Sequence, residues 1–357
     1  MSLKIPIKNI YYMLCYAWQH LDSLSRDQTS ALDVCNMTDL FGRILKECVT
    51  DLIKKGLHRD YIETTEQMVG IKGKLLVTPS VQKSLFQLGQ SICVTDEYSL
   101  NNPLNQLVLS TMQAMTNVKD LDAGLKDQLC NLTTHFRGVE TRRVSSRDFA
   151  NIRMSRLNHH YEHTLKVCSL IWDQLTPEES TGRYIFEEFN RDEAKMRRVF
   201  EDFVRNFYKI EGPKSNTFKA ETIRWQETSN DTQEKTLLPV MKTDTCLISS
   251  SCYTVIETKF VPEALQHRFA SSDKIRSGHL YQLMAYLENI RRRNNVNLNG
   301  ILLYPEVDFK IEERYKLWDF DVQIRTINLM QDWPLIRRDL LEMIQTRGEE
   351  EKVAAGF

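Results

Sequence analysis

Asp244, Glu257 and Lys259 are the residues whose types and spacing could do chemistry together. The stretch from Leu237 to Phe260 holds two strand-forming runs on either side of a serine-rich turn, Ser249-Ser250-Ser251. A turn centred between Ser250 and Ser251 sets Asp244 directly across from Glu257, and cross-strand partners have Cβ atoms ~4.5–5.5 Å apart. Lys259 is two residues beyond Glu257, so it points from the same face. Opposed carboxylates repel unless a positive charge lies between them. A hard divalent cation fits there: Mg²⁺ commonly takes one or two carboxylates and keeps several waters, with Mn²⁺ as the expected substitute. A cation lowers the pKa of a water it holds, and a neighbouring lysine could orient that water or stabilise charge growing on a phosphate. The set therefore reads as a phosphodiester-hydrolysis site with Asp244 and Glu257 as metal ligands. The plainer alternative is a surface hairpin with solvated charges. Against it, Val255 and Ile256 place Glu257 at the end of an apolar run, where an unpaired carboxylate is costly.

The elements that must position these groups can be read from periodicity. Glu193–Ile210 carries Met196, Val199, Phe200, Phe203, Val204 and Phe207 at helical spacing. Thr217–Phe260 is β-rich. A helix follows around Gly278–Ile290, then an apolar strand, Gly300–Tyr304, that Pro305 ends, then a helix from Trp333 to Gln345 with Asp332 as its cap. This order suggests an α/β/α sandwich on a small mixed sheet. Upstream, residues 9–20, Asp39–Lys54, Asn105–Val118 and His163–Leu175 read as helices. Tyr61–Thr65, Gly70–Thr78 and Gln90–Thr95 read as strands, so this part is mixed α and β. The polar stretch Gly138–Asn151 is the natural linker. It divides the chain into 1–150, a mixed α/β domain, and 151–357, the domain with the carboxylates.

Lys and Arg total 47 and Asp and Glu 48, and the balance is even on both sides of residue 150. Bulk charge therefore does not hold nucleic acid, because non-specific affinity comes from phosphate neutralisation. A local basic groove, a metal or a partner would be needed. The eight cysteines include no CxxC pair, which argues for free thiols in a reducing, cytoplasmic compartment. The apolar run Ile10–Trp18 is too short to span a bilayer and has no small-residue cleavage site, so no membrane association is expected. Gly70-Ile71-Lys72-Gly73-Lys74 has two residues between its glycines where a phosphate-binding loop needs four, so this chain is expected to bind no nucleotide itself. His159 and His163 have metal-ligand spacing but no further ligand, and read as a solvated helix start.

Asp244, twelve residues, then Glu257-Thr258-Lys259 resembles the PD-(D/E)xK nuclease pattern in its ExK form. The usual proline before the aspartate is absent; Pro239 lies five residues upstream. Gln282-Leu283-Met284-Ala285-Tyr286 resembles the QxxxY motif of RecB-like nucleases. Further stretches are Ile7-Lys8-Asn9-Ile10-Tyr11-Tyr12-Met13-Leu14, Tyr16-Ala17-Trp18, His279-Leu280-Tyr281-Gln282 and Leu303-Tyr304-Pro305. Together they look like the McrC family, the nuclease subunits of McrBC-type, 5-methylcytosine-specific restriction systems, from about Ile7 to about Leu341. The resemblance implies an N-terminal domain that docks on a ring of McrB-like AAA+ GTPase subunits and stimulates GTP hydrolysis. It implies a PD-(D/E)xK domain that cuts double-stranded DNA. By the same resemblance the Thr258 main-chain carbonyl is a further metal ligand, and Gln282 and Tyr286 support the site or touch DNA. Glu201, beside the apolar stripe of its helix, is the candidate for an extra ligand. Arg142, Arg143 and Arg147 are candidates for reaching a neighbouring GTPase site. Two other readings stay open: a stand-alone RecB-like nuclease, and a docking subunit without catalysis.

Overall fold

The computed structural model describes residues 5–19, 36–178, 183–186, 192–225, 239–250, 252–261, 265–268, 271–291, 296–307 and 310–344. His20, Leu237, Leu238, Ser251 and Gln345, named above, lie outside them. The chain forms two compact units: Met1–Cys35 with Glu188–Phe357, and Asn36–Glu187. The first unit opens with helix α1 (Ile7–Ala17).

The Asn36–Glu187 unit starts with α2 (Met37–Lys55), whose N-terminus is capped by the Asn36 side chain accepting from the Asp39 N–H at 2.7 Å. Strands β1 (Asp60–Val69), β2 (Lys74–Leu75) and β3 (Gln90–Ser99) form an antiparallel sheet in the order β1-β3-β2. Helices α3 (Pro103–Thr116), α4 (Ala123–Thr133) and α5 (Glu162–Trp172) pack with α2 around Leu40, Phe41, Leu45, Val49, Val108, Met112, Leu129 and Val167, all buried. Tyr161, fully buried, joins helices to sheet: its hydroxyl accepts from the His58 N–H (2.8 Å) and donates to Asn105 Oδ1 (2.6 Å).

Three expectations change here. Gly70–Thr78 is not one strand: only Lys74–Leu75 pairs, and Val77–Gln82 is helical. The reason is local, since Gly70 and Gly73 both have positive φ. A Cβ at Gly73 would meet the Val94 carbonyl oxygen at 2.3 Å. The stretch expected to link domains contains a helical turn, Ser146–Ala150, closed by a Ser145–Asp148 capping box, and Asp148 also binds Arg142. The division at residue 150 therefore falls inside this unit, whose helical packing continues through α5.

The other unit is built on α1, α6 (Glu193–Glu211) and a six-stranded sheet. Its strands are β4 (Thr217–Lys219), β5 (Thr245–Ile248), β6 (Cys252–Thr258), β7 (Asn297–Pro305), β8 (Glu312–Leu317) and β9 (Phe320–Ile327). The order is β8-β9-β7-β6-β5-β4. The β6–β7 and β7–β9 pairs are parallel and the others antiparallel, so the sheet is mixed as expected. The β8–β9 hairpin was not anticipated, because β8 is exposed along most of its length and lacks the alternation that marks a half-buried strand. Helix α7 (Ser277–Arg291) covers one face, packing Leu283, Met284, Tyr286, Leu287 and Ile290 against Tyr253, Val255, Leu302, Tyr304 and Val322. Helix α8 (Trp333–Met343) follows β9; Asp332 occupies its N-cap position, but its side chain makes no capping bond. Tyr208 of α6 donates to the Leu340 carbonyl at 2.8 Å. Tyr16 of α1 packs on Phe203 and Phe207 of α6 and on Trp333, so the apolar stripe read from the sequence is the seam of this layer.

Gly300 lets α7 approach β7 closely: a Cβ there would stand 2.9 Å from Leu283 Cδ2 and 3.0 Å from Leu287 Cδ1. Gly300→Ala is expected to destabilise by about 1–3 kcal/mol through overpacking, read as a lower midpoint in urea. An unchanged midpoint would mean that α7 has room to shift.

Candidate active site

The β5–β6 register places the two carboxylates. Thr245 faces Ile256, and Cys246 faces Val255, so Asp244, the residue before β5, lies across from Glu257 as the turn arithmetic requires. Cys246 and Cys252 are both free and are not cross-strand partners. Asp244 is fixed from two sides. Its Oδ2 accepts from the Thr258 N–H (2.8 Å) and the Thr258 hydroxyl (2.7 Å). Its main-chain carbonyl accepts from Arg205 Nη1 of α6 at 3.2 Å.

Glu257 is 1% exposed and ends the apolar strand β6. One of its oxygens, Oε1, accepts from Lys259 Nζ at 2.7 Å, and the other, Oε2, is buried with no hydrogen-bond partner. Lys259 Nζ also donates to Gln282 Oε1 at 2.9 Å. Gln282 Nε2 donates to the Tyr286 hydroxyl (2.7 Å), which donates to the Lys242 carbonyl (3.0 Å). Gln282 and Tyr286, one helical turn apart on α7, thus hold the lysine from behind. The sequence motif placed both residues on one helix face, and the tertiary fold brings that face to Lys259.

The electrostatics follow from this crowding. Burial, then the charge of Asp244, pushes the Glu257 carboxyl up to about 7, with Lys259 acting against them. Burial, then the charge of Glu201, raises Asp244, while the Thr258 donors and Lys259 pull it down. Glu201 is therefore close enough to act on Asp244, but its Oε1 is bound by Arg205 at 3.1 Å. Among the described residues no group of three or more His, Cys, Asp or Glu is arranged to hold a metal ion. The pair Asp244 and Glu257 fits a divalent cation on narrower grounds. Two hard carboxylates lie side by side, each repelled by a neighbouring acid, and one buried oxygen lacks a partner.

Two residues near the site were not singled out from the sequence. Lys259 N–H donates to the Leu303 carbonyl, which sets Tyr304 beside Lys259 on the adjacent strand. The Tyr304 hydroxyl and His279 Nδ1 share a hydrogen bond of 3.0 Å. Both stand within motifs quoted above, but neither spacing pointed to the other. Arg291, the last residue of α7, pairs with Glu288 and Asp319. His159 pairs with Glu162 rather than with His163.

A family model described as a McrBC 5-methylcytosine restriction system component matches residues 7–305. The chain belongs to that family. The match spans every residue of the site described above. Within the same family sense, the chain is 30% identical over 339 residues to "Type IV methyl-directed restriction enzyme EcoKMcrBC" of Escherichia coli (strain K12), covering 95% of this chain and 97% of the relative. The McrC-type resemblance read from the sequence is borne out. Its fold is similar to that in a solved half-complex of Thermococcus gammatolerans McrB AAA+ hexamers with bound McrC. The TM-score there is 0.54 at 16% identity, over 95% of this chain and 76% of that one. The α/β fold class stands on the same comparison. Among the described residues no helix is long and apolar enough to cross a membrane.

The raised Glu257 pKa has a stability consequence. The folded chain holds this proton more tightly than the unfolded chain between the ordinary value of 4.5 and about 7. Stability without metal is therefore greatest below that window and falls as pH rises through it, by about 3 kcal/mol at most, with Asp244 acting in the same direction. Glu257→Gln is expected to flatten the fall, measured as Tm against pH in EDTA. A wild-type curve with no fall between about pH 5 and 8 would contradict the buried, repelled carboxylate.

Proposed function

We propose that this chain is the metal-dependent DNA endonuclease subunit of a modification-dependent restriction complex, active when docked on an AAA+ GTPase ring. The observation that carries the reading is the pair of half-buried Asp244 and buried Glu257, facing each other across adjacent chain segments, with Lys259 hydrogen-bonded to Glu257. Asp244, Glu257 and the Thr258 main-chain carbonyl are the groups that would hold Mg²⁺, or Mn²⁺ in its place. Glu201 would join them only on leaving Arg205. When bound, such a cation supplies Lewis-acid stabilisation of phosphate charge and makes water a better nucleophile.

The chain's own residues do the rest. Thr258, with two donors on one carboxylate oxygen, orients Asp244 and favours its charged form. Lys259, tethered by Glu257 and Gln282, is placed to orient the attacking water and to meet the charge that grows on the phosphate. Tyr286 fixes Gln282, and so limits where the ammonium can go.

The partner reading comes from the relatives. The E. coli protein is a methyl-directed restriction enzyme, and the solved neighbour is McrC bound to McrB AAA+ hexamers. The Asn36–Glu187 unit is the part we assign to the ring. Its sheet leaves Tyr61, Val69 and Tyr98 largely exposed, with Ile71 and Leu88 on the connecting segments, a concentration of apolar surface that suits a protein contact. Arg142 is engaged by Asp148, so the exposed Arg143 and Arg147 are the better candidates to reach a GTPase site.

The test is plasmid cleavage with Mg²⁺, GTP and the AAA+ partner on DNA carrying 5-methylcytosine. Asp244→Ala and Lys259→Ala are each expected to lower cleavage at least ~100-fold while leaving stimulation of GTP hydrolysis intact. Cleavage that survives both substitutions would move the chemistry elsewhere. Wild-type cleavage without nucleotide or partner would favour a stand-alone nuclease. Stimulation without any cleavage would favour a docking subunit.

A further inference from the structure

Beside the carboxylate pair lies a group of cations with no acidic partner. Arg276 immediately precedes α7, and its Nε is buried without a hydrogen-bond partner. Neither Arg276 nor Arg197, exposed near the start of α6, makes an ion pair among the described residues. Three other arginines of this unit are paired: Arg205 with Glu201 and Asp202, Arg325 with Glu312, Arg337 with Glu211. A buried guanidinium nitrogen left unbonded is costly and calls for a ligand.

The cations sit around one fixed point. His279 is one helical turn before Gln282 on α7, hence on the side of Lys259. Its Nδ1 is tied to the Tyr304 hydroxyl, and Tyr304 adjoins Lys259 across the parallel β6–β7 pair. Burial, then the charges of Lys259, Arg276 and Arg197, lowers the His279 pKa to about 4. The imidazole is therefore neutral, and three positive charges lie within reach of it. Arg276 and Glu257 both act on the Tyr304 hydroxyl, with opposite signs, so both charges lie near it.

We propose that Arg276 and Arg197 form a phosphate-binding subsite beside Tyr304 and His279, which takes a backbone phosphodiester of the DNA strand next to the one held for cleavage. The inference rests on the nuclease reading for its ligand. It also supplies the local basic surface that a chain of net charge −1 needs. Arg276 gives a planar donor set suited to two phosphate oxygens. Arg197, near the start of α6, gives a second charge. Neither touches the carboxylates, so the subsite positions the strand rather than reacting with it.

The test uses the full chain alone and a fluorescein-labelled 20-base-pair duplex with Ca²⁺ in place of Mg²⁺, so that binding is read without cleavage. Anisotropy gives Kd across a range of KCl concentrations. Arg276→Gln is expected to weaken binding about tenfold at low salt and to reduce the slope of log K against log salt by about one. Adding Arg197→Gln should reduce the slope by about one more. Arg276→Lys should restore the slope but not the full affinity, because it keeps the charge and loses the fork. Lys310→Gln, remote in sequence and paired with Glu312, serves as the control and should change neither beyond the error. Each variant's Tm is compared with wild type to exclude misfolding. Unchanged Kd and slope in the Arg276 and double variants would overturn the subsite, as would a wild type that binds no duplex even at low salt. If the partnered complex cuts no DNA while the arginine variants still lose binding, the nuclease reading fails and the phosphate subsite stands.

Discussion

Two carboxylates held side by side in a nearly dry strand end are the constraint on which the rest of this unit depends. Asp244 and Glu257 are each pushed toward the neutral form by burial and by a neighbouring acid. Such a pair persists only if the surrounding fold fixes it. Three parts do so. The β5–β6 register sets the two residues opposite one another, Thr258 engages one oxygen of Asp244 with two donors, and Lys259 engages one oxygen of Glu257. Each carboxylate is thereby held by one oxygen and keeps the other available. That arrangement leaves an oxygen on each acid for a ligand and does not close both into ion pairs, which is what the proposed cation site requires.

The layers serve this arrangement. Helix α7 contributes Gln282 and Tyr286, a rigid brace that ends on the Lys242 main chain, two residues before Asp244. The brace therefore ties the lysine to the segment that leads into Asp244. Helix α6 contributes Arg205, which reaches the Asp244 carbonyl and Glu201. Gly300 allows α7 to lie close enough for the brace to form. Packing, register and hydrogen bonding are thus parts of one positioning device, with precision supplied by a strand and a helix rather than by loops.

The same crowding explains the charge distribution around the site. Carboxylates collect at the ends of β5 and β6, and unpaired cations collect at the start of α7 and near the start of α6. A phosphodiester carries negative charge that the carboxylates alone repel. On the proposed reading, a cation between the acids and guanidinium groups beside them would bring the field to a balance that a polyanionic substrate can enter. The overall neutrality of the chain is therefore no guide to its local chemistry.

Much of the site was legible in the sequence because it depends on period-two strands and one helical turn. Asp244 opposite Glu257, Lys259 on the same face, and Gln282 with Tyr286 on one helix side all follow from short-range geometry. The apolar stripe of α6 and the mixed character of the sheet were readable for the same reason. What the sequence by itself could not determine was long-range. The exposed hairpin β8–β9 has no burial pattern to announce it, and the first unit closes α1 onto residues nearly two hundred positions away through Tyr16, Phe203 and Phe207. The division read at residue 150 falls inside the Asn36–Glu187 unit because polarity marks contact with solvent, not the end of a packed core, and the Ser146–Ala150 turn belongs to the unit around it. Only the tertiary structure decided that Gln282 meets Lys259, that Glu201 is bound by Arg205, and that Arg276 stands unpaired beside Tyr304 and His279. Those contacts join separate elements, and side-chain spacing along a chain carries no information about which faces will meet once the core has closed.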